Sequence, residues 1–527
     1  MLGVADREGM MLGTVDRQGS FLGVDSLLAR LFEGDESSFY ARMAAHGGGL
    51  IRDEDFADCY SAGMGRPSIP PSLLMRAVLL QLRDDASDRE AARRAAKDLD
   101  WKRALGLDAD VVPFHHTTLS VFRSRLLVND ADERVLRVTL ERAVAAGLFP
   151  KRVLGIVDSM GVMGAAAVAD TYELIRQAIA KVVGVAGGAE ALPKKLRRQA
   201  NGVVNGKARI DWADAAVRRG ELGRLVGIAR GVLAATADRE DLAAARELLA
   251  RIIDQDIEDA PDDGNGPAIR HGVATDRVIS VVDPDMRHGR KSPSKRVDGY
   301  KAHVLTDHDN ELILGVATTA ANCPDGPEAA GLVDGARDAG IAVREVLGDT
   351  AYGDGDTRVA VEAVGAKVTA KTQPPASTGR FLKTDFVINA DALTATCPAG
   401  HTTTDTGWGR DNKHRRVRVL RFGDRCAPCA LREKCTTNTA GRVITLNFHE
   451  QRLQDARAAQ ARPRTRRKLR RRSLVERKLA ELKMHGLGKA RYRGERKTLL
   501  QLRLTAGMVN LKKLFALDTN LTGPSIA

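Results

Sequence analysis

Aromatic side chains are scarce in this chain, only 4% of 527 residues, so any core must be built from Leu, Val, Ile and Ala. Cysteine is scarcer: there are six, and four of them fall between Cys397 and Cys435. So few and so clustered, they exclude a disulfide framework and point to a reducing compartment with a metal site. No apolar stretch is long enough to span a bilayer, and the N-terminus mixes charges into its first ten positions, unlike a signal peptide. Cytoplasm is the expected location, with no membrane partner.

Hydrophobic residues reach 43%, enough for a sizeable core. The formal charge is +14 and the pI about 9.6, which favours a polyanionic partner, nucleic acid being the commonest. At the start, MLGVADREGM is followed by the near-copy MLGTVDRQGS, and FLGVDS begins like a third. This reads as a duplicated start or a read-through of upstream sequence, with no function attached.

Residues 66–130 read as a compact helical module. Pro67, Pro70 and Pro71 stop the preceding segment, and Pro71 opens a helix carrying Leu74, Ala77, Val78 and Leu82 at helical spacing. Ser87 and Glu90 stand at the positions of a capping box. A third helix, Thr117–Leu126, carries Arg123 and Arg125, an arrangement like a helix-turn-helix. A plain helical packing domain is the alternative.

Val153, Leu154, Ile156 and Val157 form a short β-branched run that ends in Asp158, the pattern of a buried strand. Residues 167–258 are Ala-rich and helical. Strands are expected at Arg277–Val282 and Lys301–Thr306, with a turn at His308-Asp309-Asn310 into Leu312–Val316. A helix over Pro327–Ala339, a strand at Val343–Leu347 running into Gly348-Asp349, a helix near 356–364 and a strand at Lys367–Ala370 follow. Loops and cysteines fill Thr372 to about 450. A basic helix is expected over 462–484 through Glu476, then a last helix at Thr498–Phe515 and a disordered tail after Leu517.

Two acids thus stand at or just after strand ends, Asp158 and Asp349. Converging carboxylates at a sheet edge suit a pair of hard cations about 4 Å apart, the arrangement that neutralises a phosphate and activates an oxygen nucleophile. A strand-ending Asp that only caps a turn is the plainer reading. Leu469, Arg472, Glu476 and Lys483 follow the spacing L-x2-R-x3-E-x6-K. On one continuous helix Arg472 and Glu476 lie about 40° apart and Glu476 and Lys483 about 20° apart. A carboxylate and two phosphate-holding cations would then share a face; an ordinary i,i+4 pair is the alternative. From Arg462 to Lys478 there are ten positive residues and one acid, Glu476, in seventeen positions. Such one-sided density argues for phosphate contacts through Arg466, Arg467, Arg470 and Arg471 beside Arg472.

Cys397, Cys426, Cys429 and Cys435 have zinc-ligand spacing, with His401 able to replace one of them. A structural Zn²⁺ would hold a loop-rich segment that has little core of its own. A metal-free thiol group is the alternative. Cys59 and Cys323 read as ordinary thiols.

Several segments together carry a family resemblance: GRPSIPPSLLMRAVLLQL, SDREAARRAAKDLDWKRALGLD and FHHTTLSVFRSRL; VVDPDMRHGRK and VDGYKAHVLTD; EVLGDTAYGD; VERKLAELK and RYRGERKTLLQLRLTAGMVNLKKL. Over roughly residues 40–515 the chain resembles the DDE insertion-sequence transposases, in the branch with a helical N-terminal transposase domain and a cysteine-bearing insertion before the last catalytic helix. The resemblance implies an α/β protein with a ribonuclease-H-like catalytic core, a mixed sheet flanked by helices. To this it adds a helical N-terminal domain, a helical insertion and a small zinc-like insertion. The expected division is a tail at 1–40, a DNA-binding domain at 41–145, and a core from 150–164, 270–372 and 462–517. The helical insertion occupies 165–269, the cysteine-bearing insertion 373–461 and a C-terminal tail 518–527.

By the same resemblance, Asp158, Asp349 and Glu476 are the catalytic carboxylates, holding Mg²⁺ or Mn²⁺, while Arg472 and Lys483 position phosphate. A Tyr that often opens the last motif is Leu469 here, so no tyrosine role carries over. Asp283, Asp307 and Glu481 are the rival acids. The implied partners are element ends and target DNA, a homodimer or higher homo-oligomer assembled on them, and a nucleoid-associated location. The implied reaction is DNA cleavage followed by transfer of the 3′-hydroxyl ends. A catalytically inactive or repurposed DNA-binding protein and a nuclease that cuts without joining are the alternatives.

Overall fold

The computed structural model describes residues 10–14, 29–61, 66–206, 211–259, 266–292, 294–374, 379–411 and 414–517. Most of the N-terminal near-repeat and the tail after Leu517 lie outside the described residues.

Helices α1 (Phe39–Leu50), α2 (Pro71–Arg83), α3 (Asp88–Lys97), α4 (Leu99–Leu105), α5 (His116–Val128) and α6 (Arg134–Ala145) build the N-terminal module. Pro71 opens α2, where its missing N–H costs no hydrogen bond. Ser87 caps α3, its Oγ accepting from the Glu90 amide at 3.2 Å. Glu90 does not complete the expected box; it pairs with Arg93 and Arg94 instead. The two arginines of α5 also depart from expectation. Arg123 is buried, bonded to Asp88 at 2.5 Å and to Gln81, with the Tyr492 ring beside it. Arg125 lies over the Tyr60 ring at 4.6 Å. Both hold the module together and do not form an outward reading head.

The main sheet contains β1 (Val153–Met163), β2 (Arg287–Ser292), β3 (Lys295–Asp307), β4 (Ile313–Ala320), β5 (Val343–Leu347) and β6 (Lys367–Thr369). Side by side run β4, β3, β1, β5 and β6, with β2 paired to the start of β3. β3 is antiparallel to β4 and β1, whereas β1, β5 and β6 are mutually parallel. The sheet is therefore mixed and covered on both faces. Ile156, Met160, Val304 and Leu347 share one core with the N-terminal module and the C-terminal helices. Val157, Leu305 and Val346 share another with α11 (Glu328–Asp338) and α12 (Gly355–Ala363) on the opposite face.

Between β1 and β2, helices α7 (Thr171–Val185), α8 (Lys194–Asn205), α9 (Ala215–Ala235) and α10 (Ala243–Asp256) pack around a core of their own. The expected strand at Arg277–Val282 is absent. Gln255 satisfies the Val278 amide at 2.9 Å and its carbonyl at 3.0 Å, so a side chain replaces a strand partner. The cysteine-bearing segment folds into two small three-stranded sheets over a core centred on Phe386, Leu420, Phe422 and Ile444.

The expected continuous helix over 462–484 is broken. α13 (Glu450–Ala461) leads to α14 (Pro463–Arg470), and α15 (Ser473–Leu482) starts afresh after a tight turn at Arg471-Arg472. An unbroken helix would stack Arg467 on Arg471 and Lys468 on Arg472, like-charge i,i+4 pairs that disfavour it. The last helix, α16 (Glu495–Ala516), is buried along most of its length and packs against α2, α6 and β4.

Candidate active site

β1 does not stop at Asp158 as expected but continues to Met163. Its parallel neighbour β5 does stop, with Ile156 paired to Leu347 as the last register pair. Two residues on, the same register brings Asp158 level with Asp349. Neighbouring strands lie about 4.8 Å apart, and residues two apart face the same way. The two carboxylates therefore start from adjacent backbones on the face where Ile156 and Leu347 are buried. Asp349 also caps the short turn after β5, accepting from the Ala351 amide at 2.8 Å.

α15 lies across that face, with Val475, Leu479 and Leu482 in the shared core. Its outer side turns Arg472, Glu476 and Lys483 into a cleft of about 660 Å³ that Asp158 and Asp349 also line. The helix break did not scatter this group. Arg472 donates to Asp158 Oδ2 at 2.8 Å and stands 3.7 Å from Glu476 Oε1, so one guanidinium bridges two of the three acids. The Glu476 side chain is 64% exposed and thus has room to turn.

The basic run splits into two populations. Arg466, Arg467, Arg470 and Arg471 are exposed. Lys468, Arg477 and Lys478 are ion-paired with Glu345, Glu311 and Glu481, acids contributed largely by distant parts of the chain. The rival acids serve other structure. Asp283 is buried and accepts from the Tyr300 hydroxyl at 2.6 Å, Asp307 is buried in the turn to Asn310, and Glu481 pairs with Lys478 and Lys512.

Sequence reasoning missed a fourth acid in the cleft. Asp325 accepts from Lys301 Nζ at 2.7 Å and from Ser159 Oγ at 3.0 Å, while the Ser159 amide donates to Asp158 Oδ1 at 2.8 Å. A chain of contacts thus runs from Lys301 through Asp325 to Asp158. Behind it, burial first, and then the charges of Asp325, Asp158 and Asp349, push the Tyr352 phenol well above its ordinary range. That phenol stays neutral. The signal for Asp325 was available, since it follows a strand in Asn322-Cys-Pro-Asp325 much as Asp349 follows β5.

The four clustered cysteines line one small pocket with His401 between the two small sheets, and all six cysteines are free thiols. Burial, with smaller contributions from Cys426, Cys397 and Cys429, pushes the Cys435 thiol up. Among the described residues, no three His, Cys, Asp or Glu side chains are gathered tightly enough to hold a metal ion, neither the carboxylates nor the thiols. Nor is any helix of the described residues long and apolar enough to cross a membrane.

Residues 396–515 match the family described as a transposase DDE domain, and residues 34–125 match a transposase domain (DUF772). The first match takes in the four cysteines, Arg472, Glu476 and Lys483; Asp158 and Asp349 lie outside both. No curated protein and no solved structure matches the chain. With one transposase-domain match in the helical N-terminal module and another reaching through α15 and α16, the two matches support a DDE-type insertion-sequence transposase.

Proposed function

We propose that this cleft cleaves DNA at the ends of an insertion sequence and joins the freed 3′-hydroxyl ends to target DNA, on a ribonuclease-H-like core. The observation that carries the reading is the meeting of Asp158, Asp349 and Glu476, from three distant stretches of chain, along one cleft with Arg472 and Lys483. The strand order β4, β3, β1, β5, β6, with β3 alone antiparallel among them, supports the choice of core.

The acids offer only hard carboxylate oxygens, the donor set that suits Mg²⁺ or Mn²⁺. Arg472 now supplies the positive charge between Asp158 and Glu476, so the group already balances a cation at that place. When bound, the metal pair would supply charge neutralisation at phosphorus and activate the attacking oxygen. Asp158, Asp349 and Glu476 would hold it, with Arg472 yielding its carboxylates and taking phosphate oxygens together with Lys483. Arg466, Arg467, Arg470 and Arg471 would hold the flanking backbone. Attack by water forms a new P–O bond and breaks the bond to the 3′ oxygen, leaving a 3′-hydroxyl. That hydroxyl attacks a target phosphodiester and displaces its 3′ oxygen. Two element ends call for a homodimer or higher assembly on DNA.

The test is Mg²⁺-dependent nicking and strand transfer on DNA carrying the element's terminal repeats. Asp158→Asn, Asp349→Asn and Glu476→Gln should each abolish both steps and leave DNA binding intact. A chain that binds DNA without nicking it would support the inactive or repurposed alternative. One that nicks but never joins pre-cut ends would be a nuclease.

A further inference from the structure

The cleft has a basic neighbour that the catalytic reading does not use. β2 and the start of β3 form a hairpin in which Arg290 is paired directly with Arg296. Directly opposed residues of an antiparallel pair point to one face, and like charges there are destabilising. Both arginines are exposed, and among the described residues neither has a carboxylate partner. One step back along the same face, His288 and Asp298 are hydrogen-bonded at 2.6 Å. Among the described residues the opposed arginines thus lack the carboxylate partner that the neighbouring His288 has in Asp298.

They border a second hollow, of about 420 Å³, between the hairpin and the base of the helical insertion. Its other cations divide as those of the basic run do. Arg277 is paired with Asp256 and Arg287 with Asp276, both at 2.6 Å. Arg270 is exposed and donates to the carbonyls of Asp254 and Ile257, and among the described residues it has no carboxylate partner. Arg290 lines this hollow and the catalytic cleft alike, so the two are neighbours.

We infer that the β2–β3 hairpin is a phosphate-binding arm: Arg290 and Arg296, with Arg270 across the hollow, hold the backbone of the DNA as it leaves the cleft toward the helical insertion. This rests on the proposed reading of the cleft. A repulsive pair kept at an exposed hairpin position is relieved when an anion lies between its members, and a polyanion leaving the cleft meets the neighbouring hollow at Arg290, which lines both. Contacts of this kind carry no sequence information; they set register and affinity.

The experiment is salt-dependent binding of the full chain to a short non-specific DNA duplex, with a chelator present so that no cleavage occurs. Arg290→Ala/Arg296→Ala should lower the slope of log K against log salt by about 2, one for each lost phosphate contact. A threefold rise in salt would then cost the parent about 9-fold more affinity than the variant. Thermal stability should hold or rise, because a like-charge pair has been removed. Arg290→Lys/Arg296→Lys should keep the parental slope. Arg230→Ala/Arg239→Ala, in the helical insertion, removes equal charge and should also leave the slope unchanged. A parental slope in the double alanine variant, or an equal drop in the insertion control, overturns the arm. A parent chain with no affinity for DNA would instead refute the functional reading itself.

Discussion

Asp325→Ala offers the sharpest probe of how the cleft is held. Its carboxylate takes a charge-assisted bond from Lys301 at 2.7 Å and a hydroxyl bond from Ser159 at 3.0 Å. Bonds to charged groups contribute roughly 1.5–3 kcal/mol and neutral ones about 1 kcal/mol. The side chains of Asp325 and Lys301 are only 15% and 22% exposed, so solvent screening trims the first figure without removing it. A loss of about 2–3 kcal/mol in unfolding free energy is expected. On the proposed reading of the cleft, the larger effect falls on metal affinity. Without Asp325, the Lys301 ammonium keeps only the Cys323 carbonyl and becomes a competing cation beside Asp158 and Asp349. Ser159 also loses the bond that steadies the amide facing Asp158. Outer-shell changes of this kind cost about 10–100-fold in metal affinity or activity. The Mg²⁺ concentration for half-maximal nicking should therefore rise by about that factor, with the rate recovering at saturating metal. Asp325→Ala/Lys301→Met should restore much of the metal affinity, because the competing cation has gone. A purely structural role would lower the active fraction and leave the Mg²⁺ midpoint where it was. An unmoved midpoint, or a double variant worse than the single, would refute the reasoning.

Burial pushes the His303 imidazole from its ordinary 6.5 down to about 4, so it is neutral in the fold, while the unfolded chain takes up a proton below 6.5. Its contribution is complete above pH 6.5 and is lost as the pH falls toward 4, by up to about 3 kcal/mol. Urea midpoints should fall across that window, and His303→Gln should flatten the fall; an equal pH slope in both proteins would count against it. Asn510 is buried and bonds the Ile313 amide, the Ile313 carbonyl and the Thr139 hydroxyl, fastening α16 to the β4 edge. Asn510→Ala removes the partner of the buried Ile313 amide and carbonyl, while the Thr139 hydroxyl keeps its bond to the Leu136 carbonyl, and it should cost about 3–5 kcal/mol in urea unfolding; a loss under about 1 kcal/mol would show that the bonds re-form elsewhere. The Cys397, Cys426, Cys429 and Cys435 thiols, already around one pocket, should draw together on a structural Zn²⁺. Metal analysis should find one zinc per chain, lost in Cys426→Ser/Cys429→Ser; a metal-free chain whose melting is indifferent to chelator would argue for plain thiols.

What the sequence reveals of this site, and what it hides, follows from how each residue gets there. Asp158 and Asp349 were visible because each stands in or just after a β-branched run, and runs of that kind report their own burial. Their convergence was not visible, because it depends on the parallel register of β1 and β5, and register arises between segments nearly two hundred residues apart. The contact between Asp325 and Lys301 was hidden for the same reason: β3 brings Lys301 and the loop after β4 brings Asp325, and only pairing makes them neighbours. Glu476 was visible through helical spacing, and its grouping with Arg472 and Lys483 survives although the helix is broken, because α15 keeps Val475, Leu479 and Leu482 on the sheet and so fixes which side faces the cleft. Charge counting was the least reliable guide. Arg123, Lys468 and Lys478 sit in basic stretches yet are ion-paired inside the fold, whereas Arg290 and Arg296, in a shorter basic stretch, have no carboxylate partner among the described residues. A cation informs about a partner outside the protein only once the acids within reach have been counted, and those acids come from other elements of the fold.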